Sequence, residues 1–228
     1  MSYGQEDYDS AQIDNALMGA LAVRYLVPGP SAWRPFVEAG GWMAPEADLE
    51  FERTYMNNTR TATGIGNTEG DISYLYGRAG VLITLGRGEQ LALSAELGRE
   101  RLKVDAYTET LSATNPFEAQ VDAGTDRMDL VKARAQWSVL LGQGFDATLW
   151  AAGVYGFNRD SELVASVAGL GALTPAVDDD TAWAEYGARV GYALNSATTL
   201  DVFVNGVSGE SDDIDTRVHG GAGLRYRF

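Results

Sequence analysis

Thirteen charged residues stand out by type and spacing: Arg24, Arg34, Glu38, Arg78, Glu96, Lys132, Arg134, Asp146, Glu185, Arg189, Asp201, Arg217 and Arg225. Each sits in a stretch where polar and apolar residues alternate. Acids and bases are mixed, so the chemistry on offer is ion pairing and the hydration of a polar surface, not bond making. There is no Walker A pattern, HExxH, GxSxG or EF-hand loop, and Gly64-Ile65-Gly66 reads as a flexible tip rather than a phosphate cradle. The lone histidine, His219, has Ser208 as the serine to set against it; the pair is not established by spacing, and His219 reads as a polar lining residue. No catalytic residue is expected. Carboxylate clusters at Asp178–Asp180 and Asp212–Asp215 could take Ca2+ but read as solvated loop charge, so neither a metal nor a cofactor is expected.

These charges recur at every second position, which is the period of a β-strand. The last stretch, Asp215 to Phe228, is the clearest. Val218, Gly220, Ala222, Leu224, Tyr226 and Phe228 are apolar or small, whereas Arg217, His219, Arg225 and Arg227 fall between them. A helix would scatter those arginines around its circumference. The same plan repeats upstream, with Val131, Ala133, Ala135, Trp137 and Val139 alternating with Lys132, Arg134, Gln136 and Ser138. Tyr186, Ala188, Val190 and Tyr192 likewise oppose Glu185 and Arg189. Nine such strands are visible, the first beginning near Ala16.

Between the strands, short turns (Gly86-Arg87-Gly88, Gly142-Gln143-Gly144, Leu194-Asn195-Ser196) alternate with long polar stretches (about 45–71, 107–126 and 158–180, and a shorter one at 209–215). Tight turns at one end and long loops at the other are expected of an outer-membrane barrel. Aromatic residues gather near strand ends, at Tyr25, Trp33, Trp137, Tyr155, Tyr192 and Tyr226, as interfacial girdles do. A charge on the lipid face costs about 2–4 kcal/mol at the midplane, so the thirteen charges are expected to line the lumen, with the excess acid in the long loops. The fold expected is an all-β, transmembrane, antiparallel up-and-down β-barrel of the outer membrane over residues 12–228, after a polar stub at 1–11.

Bulk properties agree. There is no apolar run long enough for a membrane-spanning helix, and no cysteine for disulfide or thiol chemistry. A net charge of −15 argues against nucleic acid as a partner. Met1 to Ser10 is acidic and lacks the basic and apolar regions of a signal peptide. Nine strands leave the first and last running the same way, whereas antiparallel closure takes an even number. Ten to twelve strands are therefore expected in the full barrel, with at least one preceding Gln12.

The ending Gly221-Ala222-Gly223-Leu224-Arg225-Tyr226-Arg227-Phe228 resembles the C-terminus of the autotransporter β-domain, the translocator barrel of type V secretion in Gram-negative bacteria. The segments Tyr186–Tyr192 and Thr199–Val202 are similar to that family's closing hairpin. The resemblance is specific over the last fifty or so residues, on the strand pattern of such barrels. It implies an outer-membrane anchor and export conduit for an upstream passenger, with Leu224, Tyr226 and Phe228 as the signal read by the barrel-assembly machinery. The partners it implies are outer-membrane lipid and lipopolysaccharide, that machinery, and a passenger or linker segment. The alternative is a small passenger-less, porin-like or structural barrel.

Overall fold

The computed structural model describes residues 7–28, 32–57, 60–113, 115–167, 171–173, 180–209 and 216–226. The described residues form fourteen strands and no helix. Ten strands make the main antiparallel sheet: β1 (Asp7–Asn15), β2 (Gly19–Leu26), β3 (Trp33–Asn57), β4 (Arg60–Gly86), β5 (Glu89–Val104), β8 (Gly124–Gly142), β9 (Phe145–Ser161), β12 (Thr181–Ala193), β13 (Thr198–Gly209) and β14 (Arg217–Tyr226). Four short strands make a second sheet: β6 (Tyr107–Thr108), β7 (Ala119–Val121), β10 (Ala165–Val167) and β11 (Gly171–Leu173).

The main sheet is an up-and-down meander, each strand paired with its neighbour in sequence. β1 and β2 lie end to end along β3, β2 on its first half and β1 on its second, so the ten strands follow nine paths. Among the described residues no ladder joins β1 or β2 to β14. The stub boundary expected after residue 11 falls inside β1, whose backbone pairs with β3 from Asp7 onward.

Local chemistry explains the hairpins. Gly142 pairs with Phe145, leaving Gln143 and Gly144 as a two-residue loop, and both have positive φ (52° and 83°). A type I′ turn requires this, and its twist matches that of the strands it joins. At the turn after β12, the Asn195 side chain accepts from the amides of Ala197 and Thr198, both at 2.9 Å, in place of a backbone turn. The three tight connections all lie at one end of the sheet.

The other end departs from expectation. The stretch from Pro45 to Asp71, read as a long polar loop, is mostly strand: β3 continues to Asn57 and β4 starts at Arg60. A bulge between Ala44 and Ala47, with Glu46 at φ 51°, shifts the register. Before it, even-numbered residues of β3 face the charged side; after it, odd-numbered ones do. β4 runs for 27 residues, roughly 90 Å of chain at about 3.3 Å per residue, so this hairpin extends far past any membrane-spanning length. The second sheet, drawn from the connections after β5 and β9, packs over it. Ala44, Ala47, Leu49, Ile72 and Val104 form a buried cluster there with Phe51 and Tyr107, whose rings stack at 5.5 Å.

Candidate functional site

The register puts all thirteen charges on one face of the main sheet. Arg24, Glu38, Arg78, Glu96 and Lys132 stand in a single lateral row across β2, β3, β4, β5 and β8, alternating in sign. Arg24 Nε donates to Glu38 Oε2 at 2.5 Å, Arg78 Nη1 to Glu38 Oε1 at 3.0 Å, and Arg78 Nε to Glu96 Oε2 at 2.6 Å. The hydroxyls of Tyr76 and Tyr74 add donors to Glu38 (2.9 Å) and Glu96 (2.5 Å). Lys132 completes the row but reaches across β9 to Glu185, at 2.9 and 3.0 Å. Glu38 and Glu96 are buried, at 8% and 3% exposure, which is tolerable because each accepts from an arginine and a tyrosine.

Nearer the tight turns, a second group forms. Arg189 donates to Asp201 at 2.5 Å and also to Asp146, and Arg225 Nε pairs with Asp201 at 3.2 Å. Asp146, Gly191, Asp201 and Gly223 share a row, so glycines alternate with the two carboxylates. A Cβ at Gly191 would stand 2.8 Å from Asp201 Oδ1 and 2.9 Å from Arg189 Nη1, so a larger residue there would displace the ends of the paired side chains. Arg34 and Arg217 share the charged face and are exposed.

The opposite face is aliphatic and open: Val37 is 54% exposed, Leu75 69%, Leu97 65% and Val202 56%. On β4 this band runs from Leu75 to Leu85, matching the roughly 9–11 residues of a tilted membrane-crossing strand. It ends sharply. One step beyond Leu97 on the same face is Arg99, whose Nε donates to Asp129 on β8 at 2.7 Å. Arg101, Lys103, Asp71 and Arg127 continue the charged belt. Hydrogen bonding from Arg99 holds the Asp129 carboxyl below its ordinary pKa. On the inner side of the same belt, burial, and next the nearby Asp126, raise the carboxyl of Glu100.

Leu224 and Tyr226 lie exposed on the aliphatic face of β14, while Phe228 and the clusters at Asp178–Asp179 and Asp212–Asp215 lie outside the described residues. His219 faces the charged side opposite Asn205, its Nε2 lying 3.4 Å from the amide nitrogen. Ser208 points to the other face and contacts Thr216 Oγ1 at 3.0 Å, so the sheet separates the two residues.

A further group escaped the sequence reading. Arg53 Nε and Nη2 each donate to Glu109 at 2.7 Å, and Nη2 also bonds the Phe117 carbonyl at 2.8 Å. Asn115 Nδ2 donates to Glu109 (3.2 Å) and to the Thr110 carbonyl (2.9 Å), and Asn115 Oδ1 accepts from Tyr55 (2.8 Å). This group ties the connection after β5 over the charged face at the long-loop end. The charged face also lines a cavity of about 1160 Å3, bordered by residues of every main-sheet strand from β4 to β14 and by the tight turns after β4 and β12. The sheet therefore curls with its charged side inward. No protein-family model matches the chain, and no curated protein aligns with it.

Proposed function

We propose that the chain is an outer-membrane β-barrel serving as the translocator and membrane anchor of an autotransporter-type protein. The observation that carries this reading is the inversion of the sheet: ion pairs are buried on the concave side, and a band of aliphatic residues is left open on the convex side. In water such a band, rimmed by charge, would be a large exposed apolar patch; in a bilayer it meets hydrocarbon, and the Arg99–Asp129 belt meets the headgroups. β2 and β14 run in the same direction, so antiparallel closure takes an odd number of further strands between them. The translocator role rests on the resemblance of the β14 ending and of the β12–β13 hairpin. The cavity at the tight-turn end is where an upstream segment would enter. Lipid, lipopolysaccharide and the assembly machinery are its partners under this reading.

A passenger-less surface barrel is the second reading, favoured by the buried Arg53–Glu109 group that fastens a cap over the long-loop end. Expression behind a signal peptide and an epitope-tagged passenger separates the two. The translocator reading expects heat-modifiable migration, recovery with the outer membrane, and a tag shaved by protease from intact cells. Membrane recovery with the tag retained inside would favour the second. Recovery wholly in the soluble fraction would overturn both.

A further inference from the structure

We infer that Arg134 is the centre of an anion-binding site on the concave face, taking a single carboxylate-sized monovalent anion. The ion pairs around it are balanced. Arg24, Arg78 and Lys132 are matched by Glu38, Glu96 and Glu185, and Arg189 and Arg225 are matched by Asp146 and Asp201. Arg134 lies between the two groups, in a row flanked by Ser94 and Ala152, and makes no salt bridge among the described residues. Among the described residues its guanidinium donates to one neutral acceptor, Nη2 to Gln136 Oε1 at 3.1 Å, while Nε is buried with no hydrogen-bond partner. A cation withdrawn from water without a counter-ion is costly, and a bound anion relieves that cost.

The surroundings suit the ligand. The Arg134 guanidinium carbon sits 4.4 Å from the Trp150 ring centroid, so the indole holds the fork in place. Gln136, Ser138, Thr148 and Asn205 supply neutral hydrogen-bonding groups to the cavity that Arg134 lines. Arg134 also borders a second, smaller pocket, lined by Ser94, Gln136 and Ser138 among others. A planar guanidinium fork matches a carboxylate better than a spherical ion. The inference goes beyond the translocator reading and does not depend on whether a passenger is exported.

Quenching of Trp150 fluorescence tests it, using the full chain folded in detergent and ionic strength held with sodium fluoride. Iodide is expected to quench the wild type with a slope at least about twofold that of Arg134→Gln, because a focused positive potential concentrates anions. Acrylamide, which is neutral, should quench both equally. Sodium acetate should relieve iodide quenching in the wild type, and Trp150→Phe should remove the acetate-sensitive part. Equal iodide slopes for wild type and Arg134→Gln, or no relief by acetate, would overturn the site. If Arg134→Gln loses heat-modifiable migration, the acetate competition and Trp150→Phe still decide the matter in chains that keep Arg134.

Discussion

Arg53 and Glu109, one in the extended part of β3 and the other in the connection after β5, meet through two hydrogen bonds of 2.7 Å. Their side chains are only 3% and 2% exposed. Removing one member of such a pair leaves an uncompensated charge, which typically costs about 3–5 kcal/mol. Glu109→Ala should therefore release the 105–121 connection, making it cleavable by protease added to intact cells. The β8–β9 and β12–β13 hairpins contribute no side chain to the group, so the protein's heat-modifiable migration should be kept. Unchanged cleavage would mean that the Phe51–Tyr107 stack and the small sheet hold the cap without it.

The lateral ladder makes a second prediction. Glu38 accepts from Arg24, Arg78 and Tyr76 at once, so Glu38→Gln takes the carboxylate from Arg24 and leaves Arg78 with Glu96 alone. Combining it with Arg78→Met should cost less than the sum of the single changes, with a coupling of about 0.5–3 kcal/mol. Folding titrations into lipid vesicles would read this, and strict additivity would count against a coupled row.

At the edge of the aliphatic band, Arg99 lowers the Asp129 carboxyl from its ordinary 3.8. A carboxyl with a depressed folded-state pKa contributes stability that is fully present above the unfolded value and is lost as pH falls through the folded one. The Asp129 contribution should therefore persist at neutral pH and disappear only in acid below pH 3.8. Carboxyl NMR in micelles should find Asp129 titrating below that value in the wild type and moving up toward it in Arg99→Ala. An unchanged titration would remove Arg99 as the cause.

Much of this architecture was legible in the sequence because period two is a local property. Val131 to Val139 declares its two faces without knowledge of any partner, and the turns at Gly86–Gly88 and Gly142–Gly144 declare themselves by residue type. Which charge meets which was not legible. The Arg24–Glu38–Arg78–Glu96–Lys132 row depends on register across four hairpin or loop connections, and one slip would reverse every face. The β3–β4 extension was hidden for two reasons. The bulge at Glu46 breaks the parity of the pattern, and beyond it Asp48, Glu50 and Glu52 put charge on the outer positions, where a membrane pattern requires aliphatic residues. Glu109 and Asn115 lie in irregular backbone with no periodicity, so only the fold could bring them to Arg53.

Adjacent residues on β13 give a matched comparison of the two faces at one depth. Val204 is 45% exposed on the aliphatic side, whereas Asn205 borders the cavity. Val204→Arg should destabilise the protein in vesicles by about 2–4 kcal/mol. Asn205→Arg should cost less than about 1 kcal/mol, as substitutions at polar, solvated positions usually do. Equal penalties would mean that the two faces see the same medium.

The central claim is that the aliphatic face meets hydrocarbon and the charged face meets water, and nitroxide accessibility along β13 tests it most directly. The chain has no cysteine, so each introduced label is unique. With the protein in lipid vesicles, labels at positions 200, 202 and 204 should collide preferentially with dissolved oxygen, which partitions into lipid. Labels at 201, 203 and 205 should collide preferentially with a water-soluble nickel chelate. An opposite phase, or no alternation at all, would contradict the membrane account.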